Sequence, residues 1–167
     1  MIKKFPIFIL FLCGIVLISC KNSKQEKVIY LVRHAEKDLN DTSDNPPLTA
    51  AGVKRAQDLA KLLNEEDFKG IYSTKFQRNI NTVLPLAILN ELEIKTYEWH
   101  NWQSMLHEIM DQNKGTYIIC GHGDNILPMI EDLGIKKQLP PLGKLEYNKL
   151  YKVTMSKDST TIEIIQF

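Results

Sequence analysis

The chain has 167 residues, of which 44% are hydrophobic and 25% are charged, and its formal net charge is +1. This length and apolar fraction fit one ordinary folded domain and argue against intrinsic disorder. The near-zero charge provides no broad basic surface for nucleic acid, and the three cysteines are too few for a disulfide-rich scaffold.

The first residues have the pattern of an export signal rather than of a folded element. Two lysines precede an uncharged run, residues 5–19, which is shorter than the roughly 20 apolar residues that span a bilayer. The run ends in a Leu-Ile-Ser-Cys sequence at Cys20, which resembles the lipobox of bacterial lipoproteins. We therefore expect a lipoprotein signal peptide at residues 1–20 and a polar tether at residues 21–27. A plain signal peptide or a short membrane anchor is the alternative.

The lipobox resemblance also implies where the protein acts. An exported lipoprotein would carry lipid on Cys20 and would be anchored to a membrane on the periplasmic or cell-surface side, without spanning it. Inner and outer membrane are both open.

Strands and helices alternate through the remaining chain. The predicted strands are apolar and rich in β-branched residues, and they span residues 28–32, 70–73, 94–97 and 116–120. The predicted helices span residues 50–64, 76–90, 102–112 and 125–133, and residues 150–155 and 161–166 form a predicted β-hairpin. This order predicts an α/β domain over residues 28–167. We expect a three-layer sandwich with a mostly parallel central sheet, helices on both faces and a C-terminal β-hairpin.

The helix at residues 50–64 has the clearest local signals. Thr49 is a typical N-cap residue. Apolar side chains then recur at helical spacing and predict the buried face, which is formed by Val53, Ala56, Leu59, Ala60 and Leu63.

Charged side chains follow the predicted strands, at the sheet edge where α/β proteins bind ligands. Arg33 and His34 follow the first strand, and Arg78 lies soon after the second. Glu98 follows the third strand and His122 the fourth. Two arginines and two histidines at one edge suit a phosphate dianion, because a guanidinium donates hydrogen bonds in a planar fork.

These residues carry a family resemblance. Residues 31–36, Leu-Val-Arg-His-Ala-Glu, resemble the N-terminal motif of the histidine phosphatase superfamily, the clan that includes cofactor-dependent phosphoglycerate mutases. Residues 48–52 resemble the start of that family's first helix. The second phosphate-binding segment and the second histidine motif of the family resemble residues 71–82 and Gly121-His122. The resemblance runs in order over most of the chain that follows the tether.

The resemblance implies a metal-independent phosphatase of the histidine acid phosphatase type, without a cofactor. His34 would be the nucleophile and form a phosphohistidine, with a backbone carbonyl holding its other ring nitrogen. Arg33, Arg78 and His122 would hold the phosphate oxygens. The substrate would be a phosphorylated small molecule or a phosphoprotein, including phosphohistidine. The short segment between the second helix and the fourth strand favours phosphatase over mutase activity, since it leaves little chain for a lid.

The sequence offers three candidates for the general acid. Glu98 is the first candidate, and Asp124 and Glu36 are the competitors. Asp124 is also a candidate N-cap for the helix that follows it, and Glu36 could instead hold Arg33 in place.

Two other functions are open. A catalytically silent phosphate-binding or interaction module would retain the same fold and the same phosphate ligands. A metal-assisted hydrolase would use the pairs His34-x-Glu36 and His122-x-Asp124 as ligands.

Overall fold

The computed structural model describes residues 26–167, so the predicted signal peptide, Cys20 and most of the predicted tether lie outside it. Its strands are β1 (Lys27–Arg33), β2 (Phe68–Thr74), β3 (Ile94–Tyr97), β4 (Gly115–Gly121), β5 (Lys149–Met155) and β6 (Thr160–Gln166). Its helices are α1 (Ala50–Leu62), α2 (Gln77–Leu89), α3 (Gln103–Met110) and α4 (Ile126–Asp132). The predicted elements are confirmed, with small shifts at their ends. Among residues 26–167 no helix is both long and apolar enough to cross a membrane.

The strands form a 6-stranded sheet in the order β3-β2-β4-β1-β5-β6. Strands β1 to β4 run parallel to their neighbours within this group, whereas β5 is antiparallel to β1 and forms the C-terminal hairpin with β6. Arg33 at the end of β1 pairs with Gly121 at the end of β4. The segments that follow these two central strands therefore leave the sheet side by side.

Helices cover both faces of the sheet. Successive strand residues point to opposite faces, so β1 serves two cores. Tyr30 and Val32 pack in the core that contains the buried residues of α1 and α2. Ile29 and Leu31 pack in the core that contains those of α3 and α4. The predicted three-layer sandwich is confirmed.

The start of α1 explains one error in its predicted buried face. Thr49 is the N-cap, as predicted, and its Oγ1 accepts a hydrogen bond from the backbone N of Gly52 at 3.1 Å. Val53, however, is 47% exposed. Position 52 faces the interior in its place, because the first turn of α1 packs directly against the backbone of Glu36.

Candidate active site

The adjacent ends of β1 and β4 bring the two predicted site histidines together. The backbone N of His34 donates to the carbonyl of Gly121 at 3.0 Å, which continues the β1–β4 pairing past the end of β1. The ring centroids of His34 and His122 are 5.5 Å apart. Both side chains are only 4% exposed.

His34 has a fixed tautomer. Its Nδ1 lies 2.8 Å from the carbonyl oxygen of Ala35, and a carbonyl only accepts hydrogen bonds, so Nδ1 carries the proton. The expected backbone acceptor is thereby confirmed, and the lone pair of Nε2 is available for attack. Burial lowers the pKa of His34 to about 4, and the positive charges of Arg33 and Arg78 act in the same direction. The ring is therefore neutral at physiological pH.

Hydrogen bonds and ring stacking hold His122 in place. Its Nε2 lies 3.0 Å from the hydroxyl of Thr74, and its backbone N donates to Oδ1 of Asn125 at 2.7 Å. The ring of Trp99 stacks on it with 4.2 Å between the centroids. Burial lowers the pKa of His122 to about 3, with His34 as the next cause. Thr74, Asn125 and Trp99 thus fix its position, whereas burial and the nearby His34 disfavour its charged form.

The two site arginines have donors without partners. Arg78, in the first turn of α2, is 6% exposed, and its guanidinium lies 4.3 Å from the centroid of the Phe76 ring. Nη1 of Arg33 donates to the carbonyls of Gly143 and Glu146 at 3.0 and 3.3 Å. Among the described residues, Nε of Arg33 and Nε of Arg78 are buried without a hydrogen-bond partner, and neither guanidinium pairs with a carboxylate. Unpaired buried donors are costly, so this arrangement suits a bound anion.

Helix α2 links the ends of β1 and β4. The hydroxyl of Thr82 accepts from the backbone N of Ala35 at 2.9 Å and donates to the carbonyl of Arg78 at 2.7 Å. Nδ2 of Asn79 donates to the carbonyl of Gly121 at 2.8 Å. Arg78 is therefore carried by a helix that is tied to both histidine-bearing segments.

Glu36 has a different role from either one expected. Its carboxylate accepts two hydrogen bonds of 2.9 Å from Nε of Arg55 and one of 2.7 Å from Nη2, so it does not hold Arg33. Partial burial acts to raise the pKa of Glu36, but the hydrogen bonds from Arg55, a backbone hydrogen bond and the charge of Arg55 together outweigh it, and the pKa is lowered. An ionised, paired carboxylate is a poor proton donor, which counts against Glu36 as general acid.

The other two candidate acids lie close to His122 in the fold. Asp124 does not cap α4: Asn125 holds the N-cap position, and the carboxylate of Asp124 accepts from Nε1 of Trp99 at 3.1 Å. Glu98 is exposed at the end of β3 and lines a cavity of about 390 Å³. Thr74 and Trp99, which both contact His122, line the same cavity.

The carboxylates of the two proposed metal pairs already have partners. Glu36 is bound to Arg55 and Asp124 to Trp99. Within residues 26–167 no group of three or more His, Cys, Asp or Glu side chains is arranged to hold a metal ion.

Several site residues were missed by the sequence analysis. Thr74 and Asn125 directly adjoin the motifs, and a polar residue next to a strand end is a signal that could have identified them. Tyr147 had no such signal. It lies in the connection from α4 to β5, yet its ring centroid is 5.9 Å from that of His34, and the guanidinium of Arg33 lies 4.6 Å from it.

Comparison with known proteins gives a family match and a relative of known name. The family described as Histidine phosphatase superfamily (branch 1) matches residues 29–103. A 2,3-bisphosphoglycerate-dependent phosphoglycerate mutase from Thermoplasma acidophilum is 36% identical over 67 residues, which cover 36% of this chain and 34% of that protein. The chain thus spans about a third of the length of this curated relative.

Solved structures share the fold. A phosphoglycerate mutase from Bacillus anthracis has a TM-score of 0.62 at 16% identity, covering 85% of this chain and 93% of that one. A mycobacterial glucosyl-3-phosphoglycerate phosphatase has a TM-score of 0.61 at 12% identity, covering 85% of this chain and 98% of that one. The family model thus matches the part of the chain from β1 to the start of α3, and the solved structures share the fold of the chain.

Proposed function

We propose that this chain is a member of the histidine phosphatase superfamily that hydrolyses phosphomonoesters through a covalent phosphohistidine on His34. One observation carries the proposal: a neutral histidine with a free Nε2 lies beside two arginines whose buried Nε donors have no partner among the described residues. Such a group can attack phosphorus while the guanidinium groups bind the phosphoryl oxygens.

In the first step, Nε2 of His34 attacks the phosphorus atom. The N–P bond forms as the bond from phosphorus to the alcohol oxygen breaks. Arg33, Arg78 and His122 bind the three remaining oxygens and stabilise the charge on the phosphoryl group in the transition state. This electrostatic stabilisation is the main source of catalysis in phosphoryl transfer.

Glu98 is our proposed general acid. It donates a proton to the departing alcohol oxygen and then, as a carboxylate, takes a proton from the water that attacks the phosphohistidine. The N–P bond breaks, inorganic phosphate leaves and His34 is neutral again. The position of Glu98 in the wall of the cavity next to His122 supports this role. Glu36, in contrast, is paired with Arg55, and Oδ1 of Asp124 accepts a hydrogen bond from Trp99.

We propose hydrolysis rather than mutase activity. Between α2 and β4 the chain has only β3 and α3 with short connections, so little chain is available for a lid that excludes water. The substrate would be a phosphorylated small molecule or a phosphoprotein, including phosphohistidine, and we propose that neither a metal ion nor another cofactor takes part.

The test is hydrolysis of p-nitrophenyl phosphate by the protein without its predicted signal peptide, from pH 4 to 8, with and without chelator and added zinc. We expect turnover that resists the chelator and is lost in His34→Ala. His107→Ala is the matched control, because His107 is exposed on α3.

Two results would contradict the proposal. Activity that vanishes with chelator and returns with zinc would indicate a metal-assisted hydrolase. Absence of turnover at every pH, together with a thermal stabilisation by inorganic phosphate that is lost in Arg78→Gln, would indicate a silent phosphate-binding module.

We also propose that the protein is exported and lipidated on Cys20, so that it is anchored to a membrane on the periplasmic or cell-surface side. The proposal is supported by the sequence of residues 1–20. In cells fed radiolabelled palmitate, the full chain should carry label in the membrane fraction, and Cys20→Ser should lose it. Cys120→Ala is the matched control, because Cys120 is buried in β4 and out of reach of lipid transfer. Equal labelling of Cys20→Ser and the unaltered chain would contradict it.

A further inference from the structure

We infer that the cavity beside His122 is a leaving-group subsite for an aromatic ring, so that the preferred substrate is a phosphomonoester whose alcohol carries such a ring. The inference rests on the proposed phosphatase function and adds the substrate class. We call this cavity the aromatic subsite; its walls are formed by Thr74, Lys75, Phe76, Tyr97, Glu98, Trp99, His100 and Asn101.

The aromatic subsite adjoins the phosphate ligands directly. Thr74, in its wall, is the residue whose hydroxyl lies 3.0 Å from Nε2 of His122. The ring of Phe76 stands edge-on to His122, with 5.4 Å between the centroids, and Trp99 stacks on the same histidine. An alcohol that leaves a phosphoryl group held by His122 therefore departs next to these two rings.

The two rings are not part of the hydrophobic cores. Phe76 and Trp99 are half-buried, and neither belongs to the two core clusters or to the residues packed against them. They stand perpendicular to one another with 5.5 Å between the centroids. Nε1 of Trp99 is fixed by Asp124, so the indole is held in place.

His122 and His100 both stack on the indole of Trp99, with 4.2 and 4.7 Å between the centroids. The guanidinium of Arg78 lies over the ring of Phe76. A flat ligand ring would therefore contact these fixed aromatic walls edge-to-face.

The volume of the aromatic subsite and the charges that line it restrict the class of ligand further. The volume of about 390 Å³ is within the range of small-molecule pockets and accommodates a single ring system. Lys75, Glu98 and His100 line the aromatic subsite, and the opposite charges of Lys75 and Glu98 balance. The subsite therefore favours an uncharged ring over a second phosphate or a carboxylate.

The test compares kcat/KM for benzyl phosphate and cyclohexylmethyl phosphate. Both release a primary alcohol, so the comparison isolates the shape and π character of the ring from the acidity of the leaving group. We expect benzyl phosphate to be favoured roughly tenfold, and Trp99→Leu and Phe76→Leu each to lower that ratio about threefold or more. Trp102→Leu is the matched control: Trp102 lies against the core with Nε1 bound to Asp132, and its variant should keep the wild-type ratio.

A second measurement does not depend on turnover. The chain has two tryptophans, so Trp99 is the sole indole in a His34→Ala, Trp102→Phe protein. Benzyl phosphate should change its fluorescence at lower concentration than cyclohexylmethyl phosphate does.

The outcomes separate the subsite from the phosphatase function. Equal kcat/KM for the two esters, or a ratio that survives both Trp99→Leu and Phe76→Leu, would overturn the subsite and leave the phosphatase intact. Absence of turnover with any ester would overturn the phosphatase, and the fluorescence comparison would then decide the subsite alone: equal affinities overturn it.

Discussion

A histidine that attacks phosphorus must be neutral, although the anionic substrate requires cations next to it. His34 meets both needs, because burial and the charges of Arg33 and Arg78 all disfavour the imidazolium form. The carbonyl of Ala35 opposes them, since it stabilises a protonated Nδ1. Its larger effect is to select the tautomer that leaves Nε2 free.

The lowered pKa of His34 predicts an unusual acid limb in the activity profile. The group is deprotonated and active above its folded pKa of about 4, and it gains the inhibitory proton only below that value. We therefore expect protonation of His34 to cause no fall in kcat/KM between pH 7 and 5, once the rates are corrected for the second ionisation of the substrate at about pH 6, and to lower kcat/KM near pH 4. An acid limb near pH 6.5 would contradict this assignment.

The guanidinium of Arg78 is expected to act through its geometry as well as its charge. Lysine in its place would keep the charge but lose the planar fork of donors, so Arg78→Lys should lower kcat/KM by about 10²–10³. The control is Arg55→Lys, because Arg55 binds Glu36 and the carbonyl of Phe167 rather than the site. Steady-state kinetics at pH 7 would measure both. Equal losses in the two variants would show that Arg78 does not hold the phosphoryl group.

At the scale of secondary-structure elements, the first turn of helix α1 packs at Gly52 directly against the backbone of Glu36. A Cβ at Gly52 would overlap the carbonyl oxygen of Glu36, and backbone cannot move aside as a flexible side chain can. Gly52→Ala should lower the free energy of unfolding by about 1–3 kcal/mol. Gln57→Ala, on the exposed side of α1, should change it by less than about 0.5 kcal/mol. Urea denaturation would measure both, and similar values for the two variants would refute the close contact.

Features that depend on neighbouring residues in the sequence could be predicted, whereas features that depend on contacts between distant segments could not. The apolar runs of β1 and β4 are buried on both faces, so periodicity located them and the site residues that follow them. The exposure of Val53 depends on the packing of α1 against another segment, which no helical pattern contains. Tyr147 reaches His34 from more than a hundred residues along the chain, and only the folded sheet order brings them together.

At the scale of the whole molecule, the site contains several groups whose burial lowers the stability of the folded protein. Within residues 26–167 the Nε donors of Arg33 and Arg78 are buried without a partner, and His34 and His122 are buried next to one another as neutral rings. The hydrogen bonds of Thr82 and Asn79 connect β1, β4 and α2 around the site. These contacts stabilise the folded protein and offset the unfavourable free energy of the buried site groups. A phosphate ion would relieve the unpaired donors, and acid would increase the cost of the histidines.

The last prediction therefore concerns stability in acid. Unfolded histidine titrates near pH 6.5, whereas His34 and His122 titrate at about 4 and about 3 in the folded protein. Between these values the unfolded chain binds protons that the native one does not, so stability falls as the pH drops below 6.5 and the loss levels off near the folded pKa values. For His34 the loss amounts to about 3 kcal/mol. Thermal unfolding at pH 7 and pH 4 should show a smaller loss for His34→Asn than for the wild type, with His107→Asn as the control on the exposed face of α3. An equal loss in His34→Asn and the wild type would mean that His34 titrates normally in the native protein.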